Sequence, residues 1–97
     1  MASEGTVRVR VPAPLRTLTG GKAEIAVRPG TLRSMIDELE QQYPGFRARL
    51  CKDGGGLNDS VNFFVDEEDV RFLNGIDTPL TAGARVSILP AVAGGAH

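Results

Sequence analysis

Residues 29–44 read PGTLRSMIDELEQQYP, and this stretch decides the fold. Leu32, Met35, Ile36, Leu39 and Tyr43 recur at helical spacing with Asp37, Glu38, Glu40, Gln41 and Gln42 between them, so one face is apolar and the other polar. Thr31 is a good N-cap, because its hydroxyl can accept a backbone N–H that the first helical turn leaves unbonded. Pro44-Gly45 stops the helix: proline disfavours helical geometry in the residue before it, and glycine tolerates the left-handed turn that often follows. One amphipathic helix can cover one face of one sheet.

Strand signals lie on both sides of it. Val7-Arg8-Val9-Arg10-Val11 alternates apolar and charged residues until Pro12 and Pro14 end it, and Ala23-Glu24-Ile25-Ala26-Val27-Arg28 alternates again after Gly20-Gly21, which predicts a β-hairpin with a long loop. After the helix, Phe46, Leu50 and Cys51 suggest a short apolar turn, and Lys52 to Ser60, with Gly54-Gly55-Gly56, a flexible surface loop. Val61-Asn62-Phe63-Phe64-Val65 predicts a strand, Asp66-Glu67-Glu68-Asp69 a solvated hairpin turn, and Val70-Arg71-Phe72-Leu73 the next strand. Asn74-Gly75 reads as a turn, Asp77-Thr78-Pro79-Leu80 as a connector, and Arg85 to Pro90 as a final strand with a buried face. The expected architecture is a two-layer α+β domain: a mixed sheet of about five strands packed on one main helix, with the valine-rich first and last strands as central neighbours. By analogy this is the ubiquitin-like β-grasp.

The chain has 97 residues, with 11 basic side chains against 12 acidic ones. That length suits one small domain and is too short for two cores. The single cysteine, Cys51, excludes an internal disulfide framework, and one cysteine with one histidine is too few for Cys/His zinc sites or four-cysteine iron–sulfur clusters. No bound cofactor or metal is expected. The histidine, His97, stands last, where a Ser-His-Asp or Cys-His constellation held inside a pocket is hard to build, so the chain reads as a non-enzyme. A net charge of −1 gives no bulk pull toward phosphate backbones, and no nucleic-acid partner is expected. No apolar run approaches the ~18–20 residues that span a bilayer, and the start lacks a basic region followed by an apolar core. The expectation is a cytoplasmic protein without a membrane partner.

The last residues, Ala91-Val92-Ala93-Gly94-Gly95-Ala96-His97, carry small side chains and two adjacent glycines. Residues 1–92 are expected to form the domain and 93–97 a flexible tail. Two glycines in succession let a backbone pass through a narrow channel, so such a tail can thread into another protein and place a carboxylate there. A frayed terminus has the same composition.

The segment 86–95, VSILPAVAGG, with Asn74-Gly75, Leu80, Gly83 and the stretch 61–72, VNFFVDEEDVRF, resembles the ubiquitin-like sulfur-carrier proteins of the MoaD/ThiS type, closest to an actinobacterial branch of cysteine biosynthesis. The resemblance covers nearly the whole chain and implies a β-grasp protein that serves as a cosubstrate. It implies that an ATP-using, E1-like enzyme adenylates the terminal glycine carboxylate, that sulfur displaces AMP, and that the thiocarboxylate supplies sulfur to a biosynthetic acceptor. On this resemblance Gly95 bears the sulfur, Gly94 gives access, and Val92 and Ala93 belong to the lead that a partner binds. The product is cysteine or a sulfur-containing natural product. Ala96 and His97 depart from the reactive form, because they leave the Gly95 carboxyl as an amide. Their removal by a metal-dependent protease of the JAMM type is the expected processing step, with a remnant of recombinant expression or a degenerate carrier as alternatives. Two other functions stay open: a ubiquitin-like modifier joined through Gly95 to target lysines, and an interaction domain without terminal chemistry.

Arg8, Arg10, Arg28 and Arg71 fall where the alternation turns side chains off the core, as a basic face for an acidic partner or as solvated sheet positions. Phe63 or Phe64, whichever faces outward, and Phe72 are candidates for a docking patch and equally for the core. The acidic turn lacks the spacing of an EF-hand, and Gly20-Gly21-Lys22 and Gly54-Gly55-Gly56 lack the full pattern of a phosphate-cradling loop. Cys51, beside Lys52, is either a modified thiol or a small semi-buried residue.

Overall fold

In the first strand, β1 (Val7–Arg10), Val7 and Val9 are buried while Arg8 and Arg10 are exposed, the period of two that the sequence predicts. The computed structural model describes residues 5–90. β2 (Glu24–Val27) alternates in the same way and pairs antiparallel with β1, Ile25 opposite Val9. The long connection between them contains a 3-10 turn at Ala13–Leu15 that directs Leu15 into the core.

β3 (Gly30–Thr31) leads directly into α1 (Leu32–Gln42), whose buried residues Leu32, Met35, Ile36 and Leu39 form the apolar stripe. Thr31 and Ser34 cap it reciprocally: Thr31 Oγ1 accepts the Ser34 N–H at 3.2 Å, and Ser34 Oγ accepts the Thr31 N–H at 2.9 Å. Such a cap contributes about 1 kcal/mol. Tyr43 closes α1, and Gly45 takes a φ of 116°, a left-handed conformation in which a Cβ would also crowd Leu18 at 3.0 Å. α2 (Phe46–Leu50) then buries Phe46 and Leu50. The following loop is more tied down than its glycines suggest. Cys51 bridges to Leu57, Asn58 N–H donates to the Leu50 carbonyl at 2.9 Å, and Leu57 packs against the core.

β4 (Val61–Val65) turns into β5 (Glu68–Asp69) through Asp66-Glu67, both at positive φ, 50° and 77°. This is the solvated hairpin turn, closed by two residues. The strand expected over Val70–Leu73 is corrected: Val70–Phe72 is a 3-10 turn. The Asp69 side chain accepts the Arg71 N–H at 2.8 Å and curls the chain where the ladder would have continued, sending Val70 inward and Phe72 out. The connector contains β6 (Pro79–Leu80), which pairs with β3 and positions the start of α1, where Leu32 N–H donates to the Thr78 carbonyl at 3.0 Å.

The last strand, β7 (Arg85–Pro90), lies in the middle, parallel to β1 and antiparallel to β4, so the sheet order is β2-β1-β7-β4-β5. The predicted adjacency of the first and last strands therefore holds. The core forms between this sheet and the helices, where Val9, Phe63, Val86 and Ile88 join Met35, Ile36, Leu39 and Phe46 in one cluster. Phe63 is thereby corrected from a docking candidate to a core residue. It is 1% exposed, because Phe63 and Val65 share the helix side of β4 while Asn62 and Phe64 take the other.

Candidate functional site

The position of β7 fixes where the C-terminal lead begins. Pro90 lies opposite Val61, the first residue of β4, and Leu89 opposite Asn62. Pro90, the last described residue, thus lies on the central strand, at the end where β1 finishes in Arg10 and β2 starts in Glu24. Gly94, Gly95, Ala96 and His97, with Val92 and Ala93, lie outside the described residues.

The sheet face turned away from α1 holds most of the remaining candidates. Residues directly opposite one another on paired strands share a face, so the registers place Glu24, Arg10, Ser87, Phe64 and Asp69 in one row across all five strands. Ala26, Arg8 and Arg85 form the row beside it, and Leu89 with Asn62 lies on the side nearer the lead. Arg8 and Arg10 lie exposed on this face, and Phe64 is half-buried there.

Of the two readings of these arginines, the structure shows a face of mixed sign. A shallow depression of about 490 Å³ holds Arg8, Arg10 and Arg85, but Glu24, Asp66 and Glu67 line it too. Arg8 Nε lies 4.0 Å from Glu24 Oε1, and Asp66 Oδ1 accepts the Arg85 N–H at 3.0 Å. Three cations meet three carboxylates, which relieves the like-charge crowding of Arg8 against Arg85. Arg28 does not join them, because Glu38 of α1 holds both its backbone N–H, at 3.0 Å, and its guanidinium, at 3.6 Å.

Arg71 and Phe72 sit on the 3-10 turn that follows β5. Asp69 accepts hydrogen bonds from Arg71 Nε and Nη2, the latter at 2.6 Å, and these bonds hold the Asp69 carboxyl below the usual aspartate range and raise the Arg71 guanidinium. Phe72 is 85% exposed. Sequence reasoning overlooked Arg85 and Leu89, the latter 47% exposed. The signal was present, since residues 85, 87 and 89 share one side of a strand, but the apolar run Ile88-Leu89-Pro90 masked the alternation.

Cys51 lies elsewhere, in a groove between α1 and α2 with Arg33 and Arg47. Burial pushes its thiol up, so it lacks the lowered pKa of a reactive cysteine. Arg33 pairs there with Asp77 at 3.1 Å and Arg47 with Asp37. Among the described residues no group of three or more His, Cys, Asp or Glu could hold a metal ion, and no helix is long and apolar enough to cross a membrane. The arrangement can present a surface.

Comparison with known proteins gives a consistent result. The model of the ThiS family matches residues 9–95. Sulfur carrier protein CysO of Mycobacterium tuberculosis is 43% identical over 91 residues, 92% of this chain and 98% of that protein. CysO in the crystal structure of the Amycolatopsis orientalis BexX/CysO complex superposes with a TM-score of 0.86 at 40% identity, covering 92% of this chain and 99% of that one. Small archaeal modifier protein 1 of Methanosarcina acetivorans superposes at 0.81 with 26% identity, covering 94% and 97%. These similarities match the β-grasp architecture, and the sulfur carriers among them are substrate-like proteins.

Proposed function

The chain belongs to the ThiS family, and on that premise we propose that it is a sulfur carrier whose working group is the carboxyl of Gly95. The observation that carries this reading is the near full-length similarity to a sulfur carrier, 43% identity over 98% of that protein. Hydrolysis of the Gly95–Ala96 peptide bond, the work of a JAMM-type metalloprotease, frees the carboxylate. A carboxylate is a poor electrophile, so an E1-like partner converts it with ATP to an acyl adenylate and releases pyrophosphate. A sulfur nucleophile then displaces AMP, and the thiocarboxylate delivers its sulfur to an acceptor enzyme that makes cysteine or a sulfur-containing natural product. The cytoplasm is the compartment for this chemistry.

The chain's own contribution is placement. Five residues, 91 to 95, come after Pro90, and an extended chain advances ~3.3–3.6 Å per residue, so the Gly95 carboxyl reaches at most about 18 Å beyond Pro90. A partner must therefore dock close to the end of β7. The outer sheet face borders that end and offers Arg8, Arg10, Phe64 and Leu89, with Val92 and Ala93 in the lead beyond. Likeness to a small archaeal modifier protein favours a second reading, in which the adenylate passes to a lysine of a target protein.

Intact mass spectrometry of the untagged protein from its native host tests both readings. A species ending at Gly95 with one oxygen replaced by sulfur is the expected result. Conjugates joined through Gly95 to lysine, without that species, would instead establish the modifier. Only chain ending at His97 under sulfur-demanding conditions overturns both.

A further inference from the structure

β2 is the end strand of the five-stranded sheet, with β1 on one side and no strand on the other. Val11 N–H donates to the Ala23 carbonyl at 2.8 Å, and the same register sets Val9 opposite Ile25 and Val7 opposite Val27. Along an antiparallel ladder, pairs that exchange hydrogen bonds alternate with pairs that do not. Residues 23, 25 and 27 therefore turn N–H and C=O toward β1, and Glu24, Ala26 and Arg28 turn theirs outward. The Arg28 N–H agrees with this direction, since Glu38 of α1 takes it at 3.0 Å. The N–H and C=O of Glu24 and Ala26 have no such partner among the described residues. The opposite edge of the sheet is β5, which has two residues and curls at once into a 3-10 turn, so β2 is the longer free edge.

An open edge takes a strand whose register and charges match its own. Residues 23–28 read AEIAVR, and they complement themselves when the strand is laid antiparallel to a copy with Ala26 opposite Ala26. Glu24 then faces the second copy's Arg28, Arg28 its Glu24, and Ile25 its Val27. In this register the Ala26 residues exchange a pair of backbone hydrogen bonds, and each Glu24 N–H donates to the Arg28 carbonyl of the other copy. Arg28 N–H stays with Glu38. Because the outward groups recur every second residue, the alternative registers are slips of two. One such slip sets Lys22 against Arg28, a like-charge pair, and the other sets Glu24 against Gly30, where no charges meet. Ala26 is exposed and small, so no bulk stands at the axis. Within the chain Glu24 lies 4.0 Å from Arg8, and Arg28 3.6 Å from Glu38 with its own side chain 81% exposed. Such long, solvated pairs exchange partners at little cost.

We propose that β2 is a self-association edge, at which two copies of this chain join antiparallel about an axis through Ala26 to form one continuous sheet. The edge selects a copy of itself because its two charges stand at equal distances on either side of Ala26. One short strand buries less than the ~1,200–2,000 Å² of a stable complex, so the dimer is weak, with a Kd on the order of a few hundred micromolar. The antiparallel joint places the two Pro90 residues at opposite ends of the joined sheet, and the association does not depend on the carrier reading.

Sedimentation equilibrium of the full chain, at concentrations up to about 1 mM, tests the proposal. The wild-type protein is expected to show a mass that rises with concentration from one chain toward two. Ala26→Pro removes an outward N–H without breaking a bond to β1, and should abolish the rise. Glu24→Arg and Arg28→Glu should each weaken association roughly fivefold or more, because the two-fold axis counts every change twice. The double variant Glu24→Arg/Arg28→Glu restores opposite charges across the axis and should recover the wild-type Kd, a rescue that a merely structural role would not produce. A wild-type mass of one chain throughout overturns the proposal, as does association that the single variants leave unchanged. A double variant no tighter than the singles overturns it too.

Discussion

Glu40 shows how a single side chain joins two elements. Its Oε1 accepts the N–H of Gly45 at 3.1 Å and of Arg47 at 2.9 Å, bonding the first donors of α2 to the end of α1. Those hydrogen bonds, the one from Arg47 first, hold its carboxyl below the usual glutamate range. A carboxyl depressed in the folded state stabilises above its unfolded pKa, about 4.3, and that contribution is lost as pH falls through the folded value. Glu40→Ala is therefore expected to lower the melting temperature at neutral pH, and the gap from wild type should close as the solution is acidified below pH ~4. A gap independent of pH would rule out the charged cap. The pair Phe63-Phe64 makes the other point at this scale, since adjacent residues of one type meet opposite environments. Phe63→Ala is expected to cost about 3–5 kcal/mol in urea unfolding, against domain stabilities of ~5–15 kcal/mol, and Phe64→Ala clearly less.

Among the described residues, those at positive φ that are not glycine both lie in the β4–β5 hairpin. Glu67 adopts a φ of 77° without being glycine, whereas Asp66, at 50°, is compensated by its hydrogen bond to the Arg85 N–H. Left-handed backbone costs a residue with a Cβ roughly 1–2 kcal/mol. Glu67→Gly should therefore raise stability, by about 0.5–1 kcal/mol once the greater freedom of glycine in the unfolded chain is counted, as a shift in urea midpoint at constant slope. Loss of stability would show that the Glu67 side chain contributes more than its backbone costs. α1 has no comparable tension, since its periodicity, its Thr31 cap and its stop at Pro44-Gly45 agree. That agreement explains why the helix was legible from residues 29–44 alone. The 3-10 turn at Val70–Phe72 was not, because apolar residues beside an arginine suit a strand equally well and only the Asp69 side chain decides between them.

For the whole molecule, the central place of β7 matters most, because Pro90, from which the lead follows in sequence, sits on the middle strand of the five. Leu89, outward on that strand, belongs to the proposed face and not to the core. Leu89→Glu is accordingly expected to raise KM for the adenylating enzyme about tenfold while leaving the melting temperature unchanged; a fall in melting temperature with KM intact would place Leu89 in the fold instead. The sequence by itself determined the helix and its ends and most of the strands. Those features follow from short-range sterics and periodicity, which neighbouring residues carry within themselves. Only the tertiary structure decided that Phe63 faces inward and Phe64 outward, that Arg85 and Leu89 join Arg8 and Arg10, and that carboxylates balance the arginines of that face. Each depends on which strands lie side by side and in what register, and that is settled by contacts between residues far apart in the chain, where a shift of one residue exchanges the two faces.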